Sequence, residues 1–432
     1  MRESQGKELC ADIFIRNRRK RRLRVEIFEN ICYNKEEQSI IFWRQKRRRN
    51  KIKMQAFESI FLDKAEYVFT AGGRINVIGE HVDYCGGKVF PASLNLRCNV
   101  YAKKREGKRI RMAFKGIDGV VEVDTTRLND YRNLKIGNYQ AGVAYFLQQQ
   151  GVDIVGCDLY YDCSVPFGSG LSSSASIEVA TAVALCELAG VEYDKVEIAK
   201  LSQKAENEYV GVNCGIMDQF ASAMGKKDHA ILLDCATLSY EYVPLVLGRY
   251  AIVVANCNKP HSLVESKYNE RRMETDEALR LVRAVKPVSC LAELTPADFE
   301  AVKHVFPEII AKRVKHVVYE CDRVRLAVDA LRAGEIEKLG SLLKASHESL
   351  RDLYEVTGKE LDALSAVANA HPACVGARMI GGGFGGCTIS LVEKSAVEEF
   401  IRFVDEGYEK AVGYKASFYE TSIEDGVTVK KL

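Results

Sequence analysis

Residues 166–176 read Pro-Phe-Gly-Ser-Gly-Leu-Ser-Ser-Ser-Ala-Ser. Gly168 and Gly170 let the backbone turn where a side chain would clash, and Ile177, Ala180, Ala184 and Leu188 then recur at helical spacing. A helix therefore starts inside the serine run. Its unpaired N–H groups suit a phosphate, although an ordinary capped helix would leave the same trace. A second stretch, residues 73–84, reads Gly-Arg-Ile-Asn-Val-Ile-Gly-Glu-His-Val-Asp-Tyr. It gathers Arg74, Glu80, His81 and Asp83, the last three bracketed by glycines 79, 86 and 87. Carboxylates so close together accept hydrogen bonds from neighbouring hydroxyls, and they equally suit a solvated charged turn. Asp218, in Gly215-Ile-Met-Asp-Gln, reads alone as a base or as a helix cap. A fourth stretch, residues 378–388, reads Arg-Met-Ile-Gly-Gly-Gly-Phe-Gly-Gly-Cys-Thr.

The spacing Gly381-x-Gly383-x-x-Gly386 formally fits a dinucleotide fingerprint, which needs a helix after it. A β-rich run, residues 387–392, follows instead. The glycines are expected to form a hairpin whose backbone approaches a ligand or the serine loop. No Gly-x4-Gly-Lys-Ser/Thr occurs, which excludes a Walker-type NTPase.

Taken in order, the four stretches resemble the GHMP small-molecule kinases, and residues 73–84 resemble the signature of the galactokinases among them. The resemblance runs from about residue 55 to the C-terminus. It implies an α+β, two-domain GHMP kinase fold with nucleotide and sugar held between the N- and C-terminal domains. It also implies transfer of a phosphoryl group from Mg2+-ATP to the C1 hydroxyl of α-D-galactose, the first committed step of galactose use. Phosphoryl transfer needs phosphate positioning, a cation and a route for the hydroxyl proton. By family match Gly168, Ser169, Gly170, Leu171, Ser172, Ser173, Ser174 and Ala175 bind the nucleotide, and Ser174 and Glu206 hold Mg2+. Asp218 is the expected base and Arg74 its orienting cation. Glu80, His81, Asp83, Gly215 and Tyr268 are expected on the sugar. Two rival readings are a related sugar 1-kinase acting on, for example, N-acetylgalactosamine, and a catalytically silent galactose sensor. The unbroken run 171–176, with Arg74 and Asp218, speaks against the sensor. Gly72 stands where many galactokinases have proline, a change that leaves Arg74 in place.

The elements that must position these residues are partly legible. Strands are expected at residues 67–70, 75–78, 99–103, 109–114, 120–123 and 230–234, with helices at 139–149, 194–210 and 220–224. Beyond residue 245 the pattern turns helix-rich, with helices at 263–285, 308–333, 336–355, 359–370 and 396–412. Strands are expected there at 251–255, 375–380, 387–392 and 416–419. Strands and helices interleaved without a repeated βαβ unit argue for α+β, with domains at 54–245 and 246–432.

With 47% apolar residues in 432, the chain can fill sizeable cores. No apolar run approaches membrane-spanning length, and the 14 cysteines show no metal-type spacing. We expect a soluble cytoplasmic monomer with reduced thiols and no membrane or nucleic-acid partner. The net charge of +3 hides an asymmetry: residues 1–53 carry 17 Lys/Arg against 7 Asp/Glu, leaving 45 against 52 in the rest. That basic extension, with clusters at 18–24 and 44–49, reads as disordered or as a start-site artefact upstream of Met54.

Overall fold

The computed structural model describes residues 55–259 and 264–432, and their side chains apart from 264–266. The basic extension lies outside the described residues. Of the described residues, 55–64 belong to one unit and Ala65–Leu432 form another. In the first, residues 55–61 are helical and the rings of Phe57 and Phe61 sit 4.9 Å apart.

The second unit opens with β1 (Tyr67–Asn76), β2 (Lys88–Val89), β3 (Pro91–Arg105), β4 (Arg109–Phe114) and β5 (Ile117–Asp124). Then come α1 (Asn138–Gln149), β6 (Gly156–Cys163), α2 (Ser173–Ala189), α3 (Lys195–Lys204), α4 (Met217–Met224), β7 (His229–Asp234) and β8 (Tyr240–Pro244). The later half holds β9 (Tyr250–Asn256), α5 (Val264–Arg283), α6 (Pro296–Val302), α7 (Glu308–Arg332), α8 (Ile336–Ser349) and α9 (Gly358–Ala370). It ends with β10 (Cys374–Ile380), β11 (Cys387–Glu393), α10 (Val397–Val412), β12 (Ser417–Glu420) and β13 (Thr428–Lys431).

The strands form a six-stranded sheet in the order β13-β1-β3-β6-β4-β5, a four-stranded sheet β10-β11-β9-β12 and a three-stranded sheet β2-β7-β8. All pairings are antiparallel except β4 with β6. Alternation explains the centre of the large sheet. In β6, Cys157, Leu159 and Tyr161 join the apolar core. On the opposite face Asp158 takes the Arg111 fork at 2.6 and 2.7 Å. Helix α2 is apolar on almost every side and correspondingly buried.

Several expectations needed correction. The strand pieces expected at 67–70 and 75–78 are one strand, β1, with a register shift between Gly72 and Arg74. The helix expected over 194–210 ends as an α-helix at Lys204 and continues as a wider π-helical turn, Ala205–Val210. The helix expected over 336–355 does the same at Leu350–Tyr354. Asp218 lies in the first turn of α4 rather than before it. The boundary expected near residue 245 falls in the loop between β8 and β9. The halves on either side share an apolar cluster, in which Ile75, Ile78 and Phe90 meet Val324, Leu339 and Ile389. Among the described residues no helix is long and apolar enough to cross a membrane.

Helix α8 rests on β10 through paired glycines. A Cβ on Gly376 would lie 2.2 Å from the Gly340 carbonyl oxygen, and one on Gly340 would lie 2.4 Å from that of Val375. Backbone faces backbone here, so no side-chain rotation relieves the clash. Gly376→Ala is expected to lower the free energy of unfolding by about 1–3 kcal/mol, measured by urea titration. An unchanged midpoint would show that the two elements can part freely.

Candidate active site

Four loops converge on a cavity of ≈410 Å3. The first carries Arg74 at the end of β1. Its Nε and Nη2 each donate to one carboxylate oxygen of Asp218 at 2.8 Å, and Nη1 donates to the Gly170 carbonyl at 2.5 Å. The fork fixes the aspartate in one orientation. Ser172 adds a third bond, its hydroxyl donating to Asp218 Oδ2 at 2.5 Å. Ser172 is the residue before α2 and sits at φ +60°, a strained setting for a non-glycine. Its side chain does not cap the helix, so it leaves the first N–H groups of α2 without a bond from that residue's hydroxyl.

The serine loop is held from behind. Gly168 and Gly170 adopt φ of +64° and +74°. A Cβ on Gly381 would meet the Gly170 carbonyl oxygen at 3.0 Å, and one on Gly386 the Ser169 oxygen at 2.9 Å. The fourth motif is thus the expected hairpin, between β10 and β11, and it packs directly on the serine loop. Gly168, Gly170, Ser172, Ser173 and Ser174 line the cavity. Ser169, Leu171 and Ala175 are buried and do not.

On the opposite wall lie Glu80, His81, Asp83, Gly215 and Tyr268. A Cβ on Gly215 would sit 1.8 Å from Asp83 Oδ2, so only glycine admits this aspartate. Burial, then the nearby Asp218 charge, pushes the Asp83 carboxyl up to about 7. Glu80 is differently placed. Its Oε1 accepts from Arg378 Nη2 at 2.7 Å and from the Gly381 N–H at 2.9 Å, and its Oε2 accepts from Asn76 at 3.1 Å. Most of its hydrogen-bonding capacity is spent on the protein.

Arg378 was quoted in the fourth motif without a role. Fully buried, it also donates to the carbonyls of Val77 at 3.1 Å and Asn76 at 3.0 Å, and to Ser346 at 3.1 Å. Helix α7 supplies two more anchors. Glu320 accepts the Gly79 N–H at 3.0 Å, and His316 Nε2 lies 3.1 Å from the Glu80 carbonyl. These residues sit four apart on one helix face, together with buried Arg313, and that polar stripe was visible in the sequence.

Ser174, in the first turn of α2, and Glu206, on the π-helical turn, come together. Ser174 hydrogen-bonds Glu206, whose carboxyl burial and the Asp218 charge raise to about 7. Gln219 Nε2 donates to both Glu206 at 2.6 Å and Glu178 at 3.0 Å. The sequence reading missed Glu178, although a Glu four residues after Ser174 in an apolar helix was a signal. A hydroxyl and a carboxylate fit Mg2+, which keeps water and phosphate oxygens as its other ligands. Among the described residues no group of three or more His, Cys, Asp or Glu could hold a metal by itself. Tyr139, Phe167, Ile177 and Val212 complete an apolar wall.

Residues 55–104 match the galactokinase galactose-binding signature, residues 138–226 the GHMP kinases N terminal domain and residues 327–410 the GHMP kinases C terminal. A galactokinase of Clostridium tetani is 47% identical over 360 residues, 83% of this chain and 92% of that protein. The chain belongs to the galactokinase family of GHMP kinases. A galactokinase of Lactobacillus helveticus is 44% identical over 84% of this chain and 95% of its own length. The crystal structure of Lactococcus lactis galactokinase complexed with galactose superposes with a TM-score of 0.84 at 43% identity, covering 88% of this chain and 99% of that one. Mevalonate kinase of Methanococcus jannaschii, 17% identical with a TM-score of 0.60, covers 84% of this chain and 99% of its own. It shares the fold.

Glu320 offers a pH test of the anchoring. Burial alone would raise its carboxyl, but the charges of Arg323 and Arg378 and the Ser346 hydroxyl outweigh it and hold the group near 2 instead of 4.5. A depressed carboxylate contributes stability that is complete above about 4.5 and lost as pH falls toward 2. Glu320→Gln should therefore be less stable than the parent at neutral pH. The gap between their thermal midpoints should close as pH falls through that window. A gap independent of pH would mean that Glu320 anchors Gly79 without its charge.

Proposed function

We propose that the chain transfers the γ-phosphoryl group of ATP to the C1 hydroxyl of α-D-galactose, giving α-D-galactose 1-phosphate and ADP. The observation that carries this is the Arg74–Asp218–Ser172 constellation, which stands between the Glu80-His81-Asp83 wall and the N-terminus of α2. In this reading the sugar lies against Asp83, His81 and Tyr268, and the phosphates lie along the serine loop at α2. The base occupies the apolar wall of Tyr139, Phe167, Ile177 and Val212.

Asp218 accepts the hydrogen bond of the attacking hydroxyl and takes its proton as the new oxygen–phosphorus bond forms. The bond from phosphorus to the bridging oxygen breaks, and ADP leaves with that oxygen. Arg74 keeps the carboxylate aimed and offsets charge next to the loop. Ser174 and Glu206 would hold Mg2+, which when bound neutralises phosphate charge. Residues 54–245 and 246–432 would serve as the N- and C-terminal domains, in a cytoplasmic monomer.

The test is a coupled ADP-release assay with Mg2+-ATP against galactose, N-acetylgalactosamine, glucose and mevalonate. Turnover on galactose alone is expected. Strong turnover on N-acetylgalactosamine would keep the mechanism and reassign the substrate, and galactose binding without turnover would favour a sensor. Asp218→Asn should lower kcat by about 10²-fold or more while galactose still binds by calorimetry; unimpaired turnover would remove Asp218 as the base. A chain beginning at Met54 should retain full activity, and a large loss would give residues 1–53 a function.

A further inference from the structure

His81 is held in an unusual way. Its φ of +60° lies in the left-handed region, which non-glycine residues rarely occupy. Its ring packs against three tyrosines, with centroids 4.9 Å from Tyr354, 5.6 Å from Tyr268 and 5.9 Å from Tyr84. Nδ1 lies 2.8 Å from the Tyr84 hydroxyl, which lies 2.9 Å from the Tyr354 hydroxyl. Nε2 is buried without a hydrogen-bond partner, on a residue that lines the cavity. A buried polar atom without a partner, on a residue that lines a cavity, points to a ligand.

The order of protons along this chain of groups can be deduced. Tyr354 is fully buried, and the Tyr84 oxygen is its hydroxyl's partner among the described residues. The Tyr354 proton therefore points at Tyr84, because the opposite order strands a buried donor. Tyr84 then gives its own proton to His81 Nδ1. Burial holds His81 neutral, with its pKa lowered to about 3, so its one ring proton is on Nε2. The Gly382 carbonyl lies near the ring without making a hydrogen bond of good geometry to Nε2.

We propose that Tyr354 and Tyr84 form a hydroxyl relay of fixed direction that commits His81 to the Nε2–H tautomer, making it solely a hydrogen-bond donor to one sugar hydroxyl. The two tyrosines are positioning residues, and they set specificity for a sugar oxygen at that point. An ammonium or a bare carbon there leaves the Nε2–H without an acceptor. Tyr354 reaches the relay because the chain switches to a π-helical turn after α8, which places this tyrosine under the sugar loop. The assignment of the ligand as a sugar rests on the proposed function; the direction of the relay does not.

Two measurements test it on the full chain. In 15N–1H long-range correlation spectra of the ligand-free protein, the His81 ring should show a protonated Nε2 and an unprotonated Nδ1, assigned by the signal lost in His81→Gln. The reverse pattern would overturn the relay. Tyr84→Phe keeps the ring and removes the hydroxyl. It should raise KM for galactose about five- to tenfold with kcat within twofold, and Tyr354→Phe should raise KM less. Among 2-, 3-, 4- and 6-deoxygalactose, one should show no KM difference between Tyr84→Phe and the parent. An unchanged KM, or an equal penalty on all four analogues, would refute the specificity role. Failure to phosphorylate galactose at all would strike the proposed function and leave the tautomer measurement standing.

Discussion

The buried ion pair of Arg378 and Glu80 is the constraint on which the site depends. Both side chains are almost wholly removed from water, an arrangement that usually costs more than the attraction returns. It persists here because most of the remaining capacity of the pair is used. Arg378 spends its remaining donors on two carbonyls of the loop after β1 and on Ser346, and Glu80 accepts from Asn76 and Gly381. One arginine on β10 thereby sets the path of residues 76–80, far away in sequence. Removing either partner would leave an uncompensated charge in the interior.

From that fixed loop the rest follows by short steps. The backbone of residues 79–80 is pinned by Glu320 and His316, which leaves His81 and Asp83 facing the cavity. The hairpin that follows Arg378 turns back onto the serine loop, glycine against glycine, and so holds the start of α2. Arg74, near the end of β1 just before residues 76–80, bridges the serine loop to Asp218. The loop of His81 and Asp83, the serine loop and the Arg74–Asp218 pair are thus referred to one frame, the kind of preorganisation that positioning catalysis requires.

Much of this was legible because it is local. A Gly-Ser run before a helical pattern states its own geometry, and the four motifs carried most of the cavity-lining residues with them. The missed parts are of three kinds. Arg378, His316 and Glu320 act on residues hundreds of positions away, and one sequence shows a polar residue without its partner. The π-helical turns carrying Glu206 and Tyr354 span only five or six residues, too few to separate 3.6 from a wider period. Strand β13 is exposed on both faces, so no alternation marks it, and the Gly72-Gly73 pair split β1 in the reading although the ladder runs through it.

The order of assembly is also constrained. Among the described residues, β1, which carries Arg74, is the earliest strand, and one of its two neighbours is the latest, with Tyr67 paired to Lys431. While the polypeptide is being made, β1 can find β3, but its other edge stays open until β13 emerges. The large sheet is therefore completed only once residues 428–431 have been made. A chain lacking β13 would expose the flank of the strand that carries Arg74.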